Sequence, residues 1–251
     1  DAMESRGLGD VYKRQSLCHV GGWFDADGDG KPEVVYYNGW RGDEHIVSPK
    51  EKIEADEFTK FEGSNAKALG IENMAEACVQ GRGVLVDLEQ RHGRDRVLVG
   101  YDELMRILEE DNIEIEEGDM ACFHTGFAQG LMDMNKNPNE HDLHNTFACL
   151  DGRDEKLHDW IRDSGISVII ADNYGIEDVS SPLPTGTNPI AMLPLHELCI
   201  FKLGIHIGEM FYLTPLRDWL RKNKRNRFLL TAPPLRLPGA VGSPPSPIAT
   251  V

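Results

Sequence analysis

His196 and Glu209 stand thirteen positions apart in LPLHELCIFKLGIHIGE, residues 193 to 209. An imidazole and a carboxylate together can ligate a divalent cation or hold and move a proton. Leu193, Leu195, Leu198, Cys199, Ile200 and Leu203 recur at helical spacing, and Gly204 sits where a helix C-terminus favours positive φ. His196 therefore rides on a mostly buried helix. From Ile205 to Leu213 the residues alternate as in a strand, which sets Glu209 on the face of Ile205, Ile207 and Phe211. An ionised carboxylate there calls for a metal, a cationic partner or a raised pKa. A metal satisfies both residues at once. A core histidine bonded to a backbone carbonyl, beside a glutamate paired with an arginine, satisfies them separately, and the pattern leaves both readings open.

Other chemistry-bearing residues are less telling. Asp25-Ala26-Asp27-Gly28-Asp29-Gly30 opens like a calcium-binding loop, but Pro32 and Tyr36 fall where such a loop needs an aliphatic residue and a bidentate glutamate. A solvated turn between two strands is the expectation there, with calcium at Asp25–Asp29 as its rival. His141 and His144 follow an Asn- and Pro-rich loop. His124 ends a short apolar strand and reads first as a packed core histidine. Strand parity turns His206 away from the face of Glu209.

The elements that must position these residues alternate along the chain. Helices are expected at Ile71–Gln80, Tyr101–Glu110, Lys156–Asp163 and Pro215–Lys222, and strands at Gly83–Leu88, Met120–His124, Ser167–Ala171 and Arg227–Thr231. Strands separated by helices predict an α/β fold: a single-domain mixed sheet with flanking helices. Residues 1–15 show neither a sustained hydrophobic period nor a signal-peptide layout; they resemble translated sequencing-adapter sequence, and a non-native or disordered leader is expected, with the globular domain spanning 16–251.

Composition narrows the function classes. A balance of 26 Lys and Arg against 42 Asp and Glu gives −16, with no basic run interleaved with aromatics, so nucleic acid and anionic membrane surfaces are not expected partners. Five cysteines without a Cys-x-x-Cys pair point to a reduced, cytoplasmic set rather than a zinc knuckle or disulfide framework. No apolar run reaches membrane-spanning length.

LPLHELCIFKLGIHIGEMFYL followed by PLRLPGAVGSPPSPIA resembles the closing half of the cyclase family of metal-dependent hydrolases, which includes kynurenine formamidase and isatin hydrolase. The strand Arg82–Asp87, the Gly118-Asp119 turn leading into His124-Thr125-Gly126-Phe127, and the stretch Asp172–Glu177 stand in that family's order. The resemblance implies a swivelling β/β/α-type fold and a divalent metal, Mn²⁺ or Zn²⁺, with His196 and Glu209 as ligands. In the family's signature, His-x-Gly-Thr-His-x-Asp-x-x-x-His, His19 matches the last, acid–base histidine. Gln15 then takes the place of the metal-binding aspartate, and the two upstream histidines have no counterpart, so a chain incomplete at its N-terminus and impaired in activity is expected. By the same resemblance the substrate is a small aryl formamide or cyclic amide, as in conversion of N-formylkynurenine to kynurenine in tryptophan catabolism, and the protein is a homo-oligomer. A rival reading is a non-catalytic acidic binding domain on the same scaffold.

Overall fold

The structure is a computed structural model that describes residues 13–47, 65–179 and 191–251. Of the leader expected over residues 1–15, residues 1–12 lie outside these. An eight-stranded sheet forms the centre. Its strands are β1 (Lys13–Gln15), β2 (Gln80–Asp87), β3 (Met120–His124), β4 (Val168–Ala171), β5 (His206–Glu209), β6 (Arg227–Thr231), β7 (Gly242–Ser243) and β8 (Ile248–Thr250). In space the order is β7-β1-β5-β4-β3-β2-β6-β8. The four middle strands β5, β4, β3 and β2 run parallel, and the outer ones pair antiparallel. The mixed α/β class expected from the alternation is the one observed.

Successive residues of the parallel strands feed two different cores, as the two-residue period of a strand requires. Val86, Phe123, Ile169 and Ile207 face one apolar cluster, while Leu85, Cys122 and Ile170 face the other. Helix α1 is Ile71–Ala77, and α2, Leu88–His92, follows β2 directly, capped by the Asp87 side chain on the Gln90 N–H. Helix α3 (Tyr101–Glu110) buries Leu104, Ile107 and Leu108 in the first cluster. Helix α4 (Phe127–Asp133) follows β3, and α5 is Glu140–Asn145. Helix α6 (Glu155–Ser164) adds Leu157 and Ile161 to the first cluster. Asp154 ties α3 to α6 by accepting from the N–H groups of Tyr101 at 2.7 Å and Lys156 at 2.9 Å.

Near the C-terminal end the pattern was only partly sufficient. The helix α7 is α-helical over Pro194–His196 and π-helical over Glu197–Leu203, closing at Gly204 with φ 70°. The strand after it stops at Glu209. Met210 takes φ 58°, which breaks the alternation and sends Phe211 into the second core rather than beside Glu209. Helix α8 (Thr214–Lys222) follows. At the other end, Lys13–Gln15, assigned to the leader by the sequence reading, forms β1 between β5 and β7, with Arg14 and Gln15 buried.

Candidate active site

The carboxyl ends of parallel strands are where open α/β sheets place ligands. Here Asp87, His124 and Glu209 end β2, β3 and β5, and Asp172 directly follows β4. Two polar clusters result.

The first contains His196, 2 % exposed, and Glu209, 7 % exposed. Strand β5 carries Glu209 to its end, and the start of α7 brings in His196, whose Nε2 lies 3.1 Å from Glu209 Oε1. Two further residues complete the cluster. Glu177 is buried, receives the His196 Nδ1 proton at 2.9 Å, and accepts the backbone N–H groups of Leu195 and His196 at 2.9 and 3.0 Å. Gln15 reaches in from β1, donating to Glu209 Oε2 at 2.7 Å, with the same amide nitrogen 3.2 Å from His196 Nε2. Gly175 N–H adds a bond to Glu209 Oε1 at 2.9 Å. Burial alone would depress the His196 pKa, but hydrogen bonds to Glu177 and Glu209 outweigh it and push it up to about 9.

That arrangement is frustrated at Gln15. A protonated His196 Nε2 and the Gln15 amide nitrogen are both donors, so they oppose one another. Turning the amide over, an orientation assigned only from the hydrogen-bond network, would satisfy His196 but set Oε1 against Glu209. As it stands, Gln15 Oε1 is buried without a hydrogen-bond partner among the described residues. A divalent cation in that gap would suit all three donors together: imidazole nitrogen, carboxylate oxygen and carboxamide oxygen. The donor set therefore fits the metal.

The second cluster was not recognised from the sequence as a unit. His124, fully buried, lies 3.1 Å through Nδ1 from Asp87 Oδ1 and 3.9 Å from Glu89 Oε2. Its Nε2 faces Thr214 Oγ1 at 3.3 Å and Asp172 Oδ2 at 3.8 Å. Asp87, Glu89 and His124 each bring a ligand atom within 4.8 Å of the others, a geometry open to a metal ion. Arg217 bonds Glu89 at 2.7 Å, and Arg221 bonds Asp87. These guanidinium groups already supply the positive charge that an ion would bring. Burial acts to raise the Asp87 pKa, yet His124 and Arg221 together hold it below the ordinary carboxylate range. Burial raises that of Asp172, which accepts from the Thr125 N–H and hydroxyl and the Gly126 N–H.

The remaining expectations fall as follows. His19 lies in the turn after β1, four residues beyond Gln15, its N–H bonded to the Ser16 carbonyl at 3.0 Å. His206 projects from the other side of β5, its Nδ1 3.2 Å from the Gln15 carbonyl. Asp25, Asp27 and Asp29 form the expected turn between the antiparallel strands Gly22–Phe24 and Glu33–Tyr36. Their carboxylates converge, but each accepts backbone N–H groups of the turn itself: Asp25 from Gly28 and Gly30, Asp27 from Asp29, and Asp29 from Lys31.

Comparison with known proteins agrees with this architecture. Residues 44–178 match the model of the cyclase family, described as "Putative cyclase". The crystal structure of a novel cyclase superposes with TM-score 0.71 at 27 % identity, covering 96 % of this chain and 68 % of that one. Isatin hydrolase A from Ralstonia solanacearum gives 0.55 at 17 % identity, covering 98 % and 84 %, and isatin hydrolase A from Labrenzia aggregata bound to benzyl benzoate gives 0.53 at 13 %, covering 98 % and 86 %. No curated protein sequence matches the chain. A mixed sheet with polar clusters at the carboxyl ends of its parallel strands is thus a cyclase-type scaffold. The chain belongs to the cyclase family.

Proposed function

We propose that this chain is a metal-dependent hydrolase of the C–N bond in a small aryl formamide or cyclic amide, with N-formylkynurenine and isatin as the model substrates. The observation that carries the reading is the meeting of Gln15, His196 and Glu209, with polar atoms 2.7 to 3.2 Å apart, at the carboxyl end of β5. His196 Nε2 and a Glu209 oxygen would hold Mn²⁺ or Zn²⁺, with the Gln15 carboxamide oxygen turned to face it. When bound, the ion supplies a water of lowered pKa and polarises the scissile carbonyl.

The protein's own residues do the rest. Glu177 fixes the His196 ring through Nδ1 and so keeps Nε2 directed at the gap, the outer-shell arrangement common to metal-binding histidines. Gly175 N–H holds one Glu209 oxygen. His19 is assigned the proton transfer, taking a proton from water and returning it to the leaving nitrogen. A neutral carboxamide at position 15 binds a cation less strongly than a carboxylate, so weak metal binding and low activity are expected of this chain. Free cysteines fit a cytoplasmic location; four of them are buried. Among the described residues no helix is long and apolar enough to cross a membrane.

The test is metal analysis after dialysis against Mn²⁺ or Zn²⁺, paired with hydrolysis of N-formylkynurenine and of isatin followed by absorbance. The expected outcome is saturable binding of one weakly held ion per chain in excess metal, lost in Glu209→Ala, with low hydrolysis that requires the ion and falls in His19→Ala. Absence of saturable binding to the wild-type chain in excess Mn²⁺ and Zn²⁺ would sink the reading.

A further inference from the structure

A cavity of about 810 Å³ lies at the opposite edge of the sheet, across the amino ends of the four parallel strands, where Gln80, Met120, Val168 and His206 line it. Its walls are largely apolar, with Trp40, Leu69 and Met74 among them. Arg14 also lines it, and strand alternation puts this side chain on the face of β1 away from Gln15.

Arg14 is 0 % exposed, and none of its three guanidinium nitrogens has a hydrogen-bond partner among the described residues. A guanidinium is not deprotonated inside proteins, so the group is a buried cation. The neighbouring groups do not neutralise it. The Cys122 thiol is pushed up to about 12 by burial and stays protonated. Glu72, the cavity's carboxylate, is engaged by the Gly239 N–H at 3.1 Å. An isolated buried charge is expensive unless an anion joins it.

We propose that this cavity binds an amphipathic monocarboxylate, its head paired with Arg14 and its apolar body laid along Trp40, Leu69, Met74 and Met120. One planar guanidinium matches one carboxylate in a two-point hydrogen bond. A phosphate would need more positive charge than the site offers, since Lys67 at the rim is exposed and donates to the Glu44 carbonyl at 3.0 Å. Arg14 neighbours Gln15 in β1 and pairs with Gly208 beside Glu209, but its side chain lies on the opposite face of the sheet from the metal site.

Calorimetric titration of the full chain with 4-phenylbutyrate and with its uncharged amide tests it. The expected result is saturable one-to-one binding of the acid, at least tenfold weaker binding of the amide, and at least tenfold loss for the acid in Arg14→Met. Ala68→Trp, which narrows the cavity while leaving Arg14 in place, should also abolish binding. Equal affinity for acid and amide, no saturable binding of the acid, or unchanged affinity in Arg14→Met would overturn it.

Discussion

The two polar clusters at the carboxyl edge use the same residue types to opposite ends. Around His196 the carboxylates of Glu177 and Glu209 face an imidazole and an amide, with no arginine in the hydrogen-bond network described. Around His124 the carboxylates of Asp87 and Glu89 are matched by Arg221 and Arg217. Among the described contacts, the first sets two carboxylates against one imidazole and a frustrated amide, an arrangement that suits a cation. The second is neutral within itself and works as a clamp joining β2, β3 and α8. Composition alone does not separate a metal site from an ion-pair network; the location of the arginines does.

The largest effect that could break this contrast comes from removing one carboxylate from each cluster. Asp87→Ala would leave Arg221 and His124 facing each other without their anion, and should cost about 3–5 kcal/mol of stability, read by urea denaturation, with no change in metal affinity. Glu209→Ala should abolish stoichiometric metal binding. If Asp87→Ala removed the ion and Glu209→Ala spared it, the two assignments would be reversed.

A pH titration of metal-free protein sharpens the contrast, because the two clusters shift in opposite directions. His196 has a raised pKa of about 9, so the stability it contributes is complete below the ordinary histidine value and is lost as pH rises through about 9. The ceiling on that contribution is about 3 kcal/mol, from the linkage between pKa and free energy. Asp87 has a lowered pKa, so its contribution is present above the ordinary aspartate value and is lost as pH falls through the folded one. His196→Gln should flatten the alkaline limb of stability against pH, and Asp87→Asn the acid limb, as measured by thermal melting from pH 3 to pH 10. Unchanged limbs in these variants would show that other groups carry the pH dependence.

The two clusters also differ in how far the sequence revealed them. His196 and Glu209 were legible because a polar residue inside a strictly periodic apolar run is conspicuous on its own. Gln15 was reached by counting back from His19 in a family motif, and β1 does deliver its side chain to that pair. Glu177 was not assigned a role, since it lies in an irregular stretch whose direction no period fixes. Asp87 and His124 each end a buried strand, but their pairing depends on β2 and β3 being adjacent and in register, Asp87 opposite His124. That is a property of strand order, which a single sequence does not state. The main elements were visible with close bounds, such as Tyr101–Glu110 and Arg227–Thr231. The π-turns of α7 and the break at Met210 were not, because both preserve the local residue pattern while changing the backbone.

Gln15 offers a milder test on the metal-binding side. Gln15→Asp should tighten Mn²⁺ binding by about tenfold, roughly 1.4 kcal/mol, because a carboxylate replaces a neutral ligand. In metal-free protein the same change should destabilise the fold, since it sets a third carboxylate beside Glu177 and Glu209. Opposite signs with and without metal, read as shifts in melting temperature, are the signature expected of an ion held in that gap. The same sign in both conditions would locate the ion elsewhere.

The smallest effect separates a structural hydroxyl from a reactive one in the second cluster. Asp87, His124 and Thr214 line up as carboxylate, imidazole and hydroxyl, an order that also serves nucleophilic catalysis. The burial of His124 and Thr214 and the arginines on Asp87 and Glu89 favour a clamp instead. The hydroxyl is 3.3 Å from Nε2, a long contact, so Thr214→Val should cost about 1 kcal/mol of stability and nothing in metal affinity. It should leave metal-dependent turnover unchanged as well. A loss of turnover with melting temperature intact would instead give Thr214 a part in the chemistry, and the clamp would have to be counted as a second reactive centre.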